Sequence, residues 1–107
     1  MSPEMVIALY RPHPGKEREL DALVARHVPA LREAELITAR GTLAGRAKDG
    51  TVVEVFEWVS ADAARRAHEL PGVARVWEAM GQVADFVTLG GLAEADQRFP
   101  HFASLPG

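Results

Sequence analysis

The sequence contains no cysteine and no asparagine. Without cysteine there can be no disulfide bond, thiolate metal ligand or cysteine nucleophile, and we expect a cytoplasmic protein. The four histidines lack the spacing of a metal-binding motif, so no metal site is predicted. No apolar run approaches the roughly 18 residues of a membrane span, and the N-terminal residues do not resemble a signal peptide.

The chain also lacks a large excess of positive or negative charge. Lys and Arg number 12 and Asp and Glu 15, which gives a net charge of −3. This balance predicts neither a nucleic acid nor an anionic membrane surface as a partner. The glycine patterns of dinucleotide, phosphate and α/β-hydrolase sites are absent as well. A length of 107 residues indicates one domain.

Hydrophobic patterning divides the chain into strands and helices. Runs of apolar and β-branched residues predict strands, and apolar residues that recur with helical spacing predict helices. The predicted strands are 5–10, 36–43, 51–59 and 83–89, and the predicted helices are 16–35, 60–70 and 73–80. Residues 44–50 form a polar loop, in which Asp49 and Gly50 indicate a tight turn between the second and third strands.

Three residues are expected to shape the helices. Ser60 stands where a helix N-cap is expected, so its hydroxyl should accept a hydrogen bond from a free backbone N–H. Pro29 should kink or restart the first helix, because proline removes one hydrogen bond and clashes with the preceding turn. Gly81 should end the last helix.

The order β-α-β-β-α-β predicts an α+β, ferredoxin-like fold. Its sheet has four antiparallel strands, and both helices cover one face. We expect residues 1–91 to form this domain. Residues 92–107 form a C-terminal tail with a helical turn at 92–97, which docks on the domain or on a partner subunit.

Both faces of the predicted sheet are mostly apolar. The first strand shows this on both sides. One face carries Met5, Ile7 and Leu9, and the other carries Val6, Ala8 and Tyr10. Since soluble monomers rarely expose a large apolar face, we expect a homodimer that packs sheet on sheet. The alternative is that the C-terminal tail covers the open face alone.

The junction between the third strand and the following helix carries a family resemblance. The sequence Glu57-Trp58-Val59-Ser60 leads into an alanine-rich turn, and His68 follows Trp58 by ten residues. Together with the element order and the segment from Pro71 to Trp77, this junction resembles the antibiotic biosynthesis monooxygenase-like domains of the dimeric α/β-barrel superfamily. The resemblance covers roughly residues 5–89 and implies a pocket between helices and sheet in each subunit.

The resemblance implies two possible reactions for this chain. Some members of that family are cofactor-free oxygenases of electron-rich polycyclic phenols, and others degrade haem bound through an axial histidine. His68 matches that histidine, but the haem-degrading members also use an asparagine late in the first strand, where Tyr10 is the nearest residue here. We therefore expect no cofactor and keep haem binding as a lesser alternative.

Five residues are candidates for a small-molecule site. His68 and Tyr10 are the predicted catalytic residues, because a histidine can take a proton and a phenol can donate a hydrogen bond. The predicted substrate contacts are Trp58, Phe56 and Arg40. Each also has a structural interpretation, since buried aromatic residues usually belong to a core, and Arg40 could lie at a solvated edge.

Two further aromatic residues are assigned to packing. Trp77 shares a helical face with apolar neighbours, and His27 is expected to be half-buried on the first helix. The resemblance thus implies a small-molecule enzyme, either a cofactor-independent monooxygenase that acts on an aromatic or polycyclic phenol or quinol or a related enzyme. The alternative is a non-catalytic homodimer that binds an apolar small molecule.

Overall fold

The computed structural model describes residues 2–106. Met1, in the predicted domain 1–91, and Gly107, in the predicted tail 92–107, lie outside the described residues. The elements follow in chain order: β1 (Glu4–Pro12), α1 (Glu17–Glu33), β2 (Leu43–Arg46), β3 (Val52–Trp58), α2 (Ala63–His68), α3 (Pro71–Val83), β4 (Ala84–Phe86) and β5 (Ala103–Ser104). Among these residues, no helix is long and apolar enough to span a bilayer.

The strands form one antiparallel sheet in the order β4-β1-β3-β2-β5. The central pair is β1 and β3, which place Tyr10 opposite Val52 and Glu4 opposite Trp58. The ferredoxin-like α+β prediction is confirmed, and the fifth strand is a small addition. It comes from the C-terminal tail, where Ala103 and Ser104 pair with β2.

Strand β2 lies further along the chain than predicted. Of the expected strand at 36–43, only Leu43 belongs to β2, and the rest contributes one isolated bridge, between Ile37 and Trp58. The Arg32 side chain donates hydrogen bonds to the carbonyls of Thr38 and Arg40, at 3.0 and 3.3 Å, which occupies backbone groups that a strand ladder would use. Apolar residues alone therefore do not make this segment a strand.

Pairing resumes at Leu43 and includes part of the predicted loop 44–50. The hairpin between β2 and β3 and its turn at Asp49 and Gly50 are confirmed. Gly50 has φ 93°, a left-handed value that favours glycine, and the Asp49 carboxylate accepts the Thr51 N–H at 2.9 Å.

The helices also depart from the expected boundaries. Helix α1 runs through Pro29 without restarting. Helix α3 begins at Pro71, a favoured place for proline, and continues past Gly81 to Val83, so the prediction that Gly81 ends it is wrong.

Ser60 is not a cap. Helix α2 has Asp62 at its N-cap position, and no side chain caps it. The Ser60 hydroxyl is buried without a hydrogen-bond partner in the described residues. The reason is that the chain makes a turn between Ser60 and Ala63, closed by a backbone bond of 3.1 Å, before the helix starts.

The two sheet faces are covered differently. Helices α1, α2 and α3 pack on the face that carries Tyr10, Phe56 and Trp58, where two buried apolar clusters form the core. On the opposite face, Leu92 from the tail packs with Leu9, Ala47 and Val53 in one small cluster. The rest of that face stays open, with Met5 69% and Leu43 73% exposed.

Candidate functional site

A cavity of about 460 Å³ opens between the sheet and helices α2 and α3. Aromatic rings from four elements make up much of its wall. Those rings belong to Tyr10, Phe56, Trp58, Trp77 and Phe86. The volume lies within the range of small-molecule sites, and the lining suits a flat, apolar ligand.

Strand alternation and strand pairing explain why four of these rings share one face of the sheet. Phe56 and Trp58 stand two residues apart on β3, so their side chains share the helix-covered face. Their rings meet edge to face with centroids 5.0 Å apart. Tyr10 and Phe86 are opposite each other in the β1–β4 pairing, and their rings also meet edge to face, at 5.7 Å.

His68 stands at the rim of the cavity. It is the last residue of α2, and its exposed ring contacts the Trp77 indole edge to face, with centroids 4.7 Å apart. Among residues 2–106 the His68 side chain makes no hydrogen bond within the protein, so its ring nitrogens can reach a ligand or water.

Four of the five predicted site residues therefore line one cavity: Tyr10, Phe56, Trp58 and His68. Arg40 does not. Its side chain is 75% exposed and pairs with Glu57 at 3.2 Å, outside this cavity. The cause is the shifted second strand, which leaves Arg40 in an irregular segment rather than beside the core.

Behind the cavity wall formed by Tyr10, His27 and Trp77 lies a buried polar network that the sequence interpretation missed. Glu54 is 2% exposed and His27 is 1% exposed, so the expectation of a half-buried His27 is wrong. The Glu54 Oε1 atom lies 2.7 Å from His27 Nδ1 and accepts the Tyr10 hydroxyl at 2.8 Å. On the other side of His27, the Trp77 indole N–H donates to Nε2 at 2.8 Å.

Trp77 is thus more than the core residue that its spacing predicts. It is partly exposed, and it joins the rim histidine to the buried one. One signal for this network exists in the sequence. Glu54 shares one face of β3 with Val52, Phe56 and Trp58, so it must face the helices, where a carboxylate requires partners.

Tyr10 is held as a neutral hydrogen-bond donor. Burial, reinforced by the nearby Glu54 carboxylate and the hydrogen bond to it, raises the pKa of the Tyr10 phenol far above its ordinary range. Its hydroxyl already donates to Glu54, so its ring, rather than its oxygen, forms the cavity wall.

Two other depressions flank helix α1, with volumes of about 610 and 670 Å³. Neither contains an aromatic side chain. Residues 2–106 also contain no group of three side chains that could hold a metal ion. The aromatic cavity is therefore the candidate site.

Comparison with known proteins supports the fold. No protein-family model and no curated protein sequence matches the chain. Among solved structures, the chain is similar to SnoaB, a cofactor-independent oxygenase from Streptomyces nogalater, solved as an asparagine-to-alanine variant. The identity is 24% and the TM-score 0.66, over 94% of this chain and 100% of that one. The chain therefore shares the fold of SnoaB, in agreement with the ferredoxin-like α+β fold predicted from the sequence.

Proposed function

We propose that the protein is a cofactor-independent monooxygenase of an aromatic phenol or quinol, which binds in the aromatic cavity. The observation that carries this proposal is the wall of five aromatic rings around about 460 Å³. SnoaB, which has the same fold, is described as a cofactor-independent oxygenase, and this supports the reaction class.

The chemistry requires little from the protein. A substrate with an acidic C–H between aromatic rings can lose a proton to give a carbanion that reacts with O₂. One oxygen atom becomes a new carbonyl and the other leaves as water, so the substrate itself supplies the electrons. The protein must exclude water, position the ring and accept a proton.

Trp58 and Phe56 are the proposed stacking surface for the substrate ring. Tyr10 completes the wall, and His68 contacts the polar groups of the substrate at the rim. Trp58→Ala should raise KM for such a substrate by about tenfold or more, because stacking contributes about 1 kcal/mol or more beyond area burial. His68→Ala should also weaken binding.

A test uses dithranol, a dihydroxyanthrone, as the probe. We expect the protein to accelerate oxygen uptake above the spontaneous rate, with one O₂ consumed for each quinone formed. The matched control for Trp58→Ala is Phe99→Ala, which removes an exposed aromatic ring outside the cavity. Full turnover in both Trp58→Ala and His68→Ala would refute these assignments.

A second function, non-catalytic binding of an apolar small molecule, is favoured by one observation. Glu54 binds both the Tyr10 hydroxyl and the His27 Nδ1 atom, so these polar atoms are already engaged within the protein and are not available to a substrate. Binding of the corresponding anthraquinone without any oxygen uptake on dithranol would support this alternative.

We further propose a homodimer that forms through the open sheet face, in the cytoplasm. Ile7 lies opposite Val55 on β3, and Val55 lies opposite Leu43 on β2, so these residues form a row across three strands. We call Met5, Ile7, Leu43 and Val55 the open-face patch. Its exposure favours a second copy as the cover, because the tail packs only on the half around Leu9 and Val53.

A further inference from the structure

We infer that His27 is the proton acceptor of the aromatic cavity, oriented by Glu54 and capped by the Trp77 indole. This inference rests on the proposed function and names the residue that performs its first step. It begins with the chain of contacts Glu54–His27–Trp77, in which both distances to the imidazole are below 3 Å, at 2.7 and 2.8 Å.

The hydrogen bonds determine which nitrogen carries the proton. An indole N–H can only donate, so His27 Nε2 must accept from Trp77 and cannot itself be protonated. The Nδ1 atom then carries the hydrogen and donates it to the Glu54 carboxylate. In this arrangement the lone pair of His27 is on Nε2, where it accepts the Trp77 N–H, and both residues line the cavity.

Glu54 positions this imidazole. A carboxylate bound to Nδ1–H fixes the ring orientation and faces the charge that develops when Nε2 gains a proton. The second hydrogen bond to Glu54, from Tyr10, holds the carboxylate in place in a buried site. Glu54 acts through His27, so it is a positioning residue.

His27 takes a proton from the substrate and later returns it. A C–H bond of the substrate breaks, its proton bonds to His27 Nε2, and the electron pair stays on the carbon. The carbanion adds O₂, the resulting peroxide takes the proton back from Nε2, and loss of water leaves the carbonyl. His27 thus ends the cycle in its starting state.

The substrate can reach Nε2 only if the indole N–H of Trp77 leaves it. Trp77 is partly exposed, and its other contact is the exposed His68 ring at the rim, so this side chain is the movable part of the network. Trp77→Phe keeps an aromatic ring but removes the competing donor. It should therefore free Nε2 without emptying the wall.

His68 is the weaker candidate for this step. It lies at the rim with its ring exposed, and no carboxylate bonds to it among residues 2–106. The other titratable residues that line the cavity are Tyr10 on β1 and Glu78 on α3, whereas Glu54 lies behind His27 and lines the depression of about 610 Å³. Among residues 2–106, His27 is the cavity residue that combines burial with a carboxylate on one ring nitrogen and an acceptor position on the other.

The experiment separates proton removal from oxygen chemistry. Without oxygen, exchange of the acidic C–H of dithranol with deuterated water is followed by NMR, for the wild type and for His27→Gln. Glutamine can donate to Glu54 and accept from Trp77, so it preserves both hydrogen bonds but cannot take a proton. We expect exchange to fall by about a hundredfold or more, toward the rate without protein.

Two further variants complete the test. Glu54→Gln should slow exchange by about tenfold or more and shift the ¹⁵N signals of His27 away from the Nδ1–H tautomer, a change that a merely structural role would not predict. Trp77→Phe should speed exchange. The controls are Glu94→Gln, which removes the other buried glutamate, and His101→Gln, which removes an exposed histidine. Both controls should exchange like the wild type.

The outcomes distinguish the two proposals. Exchange that depends on His27, without oxygen uptake, supports the base and refutes the monooxygenase. Oxygen uptake that survives in folded His27→Gln refutes the base and leaves the monooxygenase standing. Absence of both activities in the wild type refutes both. A ¹⁵N spectrum that shows Nε2–H in the free protein also refutes the assigned network.

Discussion

Tyr10 is the single tyrosine of the chain, so its ionisation can be observed without interference. Its pKa is raised in the folded protein by burial and by Glu54. The unfolded chain ionises at its ordinary pKa of about 10. Because the pKa of Tyr10 is higher in the folded protein, its contribution to stability is fully present below the unfolded pKa of about 10. That contribution is lost as the pH rises from the unfolded pKa toward the folded one.

We therefore expect no tyrosinate absorption while the protein stays folded in an alkaline titration. The absorption should appear together with the loss of near-ultraviolet circular dichroism. Tyr10→Phe should remove the absorption and lessen the alkaline loss of stability. A tyrosinate that forms near pH 10 in the folded protein would contradict the buried Tyr10–Glu54 hydrogen bond.

Ser60 gives a second prediction at this scale. If its hydroxyl capped a helix, Ser60→Ala would cost about 1 kcal/mol. Because that hydroxyl is buried without a partner, we expect the opposite, a gain of about 1 kcal/mol in unfolding free energy. Urea unfolding measures the difference, and Ser104→Ala, at an exposed position, serves as the control. A clear loss of stability would restore the cap interpretation.

The sequence predicted the cavity residues on β3 better than the network behind them. Trp58 and Phe56 follow from strand alternation, which is a local property. The pairing of Glu54 with His27 depends on how α1 packs across the sheet, and the two residues are 27 positions apart. Strand alternation predicts that the Glu54 side chain faces the helices, but it does not predict that His27 is its partner.

The elements show a similar division. Strands β1 and β3 were predicted nearly in place, because long runs of β-branched and aromatic residues leave few alternatives. Strand β2 was misplaced because its sequence, Leu43 to Arg46, contains a glycine and little apolar character. Its position is set by its neighbours on both sides, β3 and β5, and such tertiary pairing is not visible in a local window.

Gly45 shows why β2 tolerates that glycine. A Cβ atom at position 45 would lie 3.0 Å from Phe102 Cβ and 3.1 Å from the Ala103 carbonyl oxygen. The absence of a side chain therefore lets the β5 segment approach β2. This contact is how the tail adds a fifth strand.

We predict that Gly45→Ala detaches β5 while the central sheet remains. The Leu105 amide, which donates to the Ala44 carbonyl at 2.9 Å, should lose its protection from hydrogen exchange. Amides of β1 and β3 should keep theirs. The control is Gly41→Ala, since a Cβ there would meet nothing within 4 Å. Unchanged protection of Leu105 in Gly45→Ala would show that β5 can move aside without separating.

At the scale of the whole molecule, the open-face patch bears on assembly. Leu43 is 73% exposed and stands at the β2 end of the row that crosses β1, β3 and β2. A second copy packed on this face would bury Leu43, and a charge introduced there would then have to be desolvated.

We expect Leu43→Lys to convert a dimer into a folded monomer, as measured by sedimentation equilibrium. Leu89→Lys, which alters another exposed leucine away from the open-face patch, should remain dimeric. A wild-type protein that is monomeric at high concentration would contradict the homodimer. A dimer that survives Leu43→Lys would place the interface elsewhere.

The end of the sheet at β4 offers a second surface for self-association. Strand β4 has only three residues and pairs with Tyr10–Pro12, so within the described residues the earlier part of β1, from Glu4 to Ala8, has no strand beside it on that edge. Backbone groups at such an edge can pair with a strand of another molecule. Edge-to-edge pairing at β1 would leave the open sheet face uncovered, so a chain that associated in this way would keep an apolar surface available for a further contact.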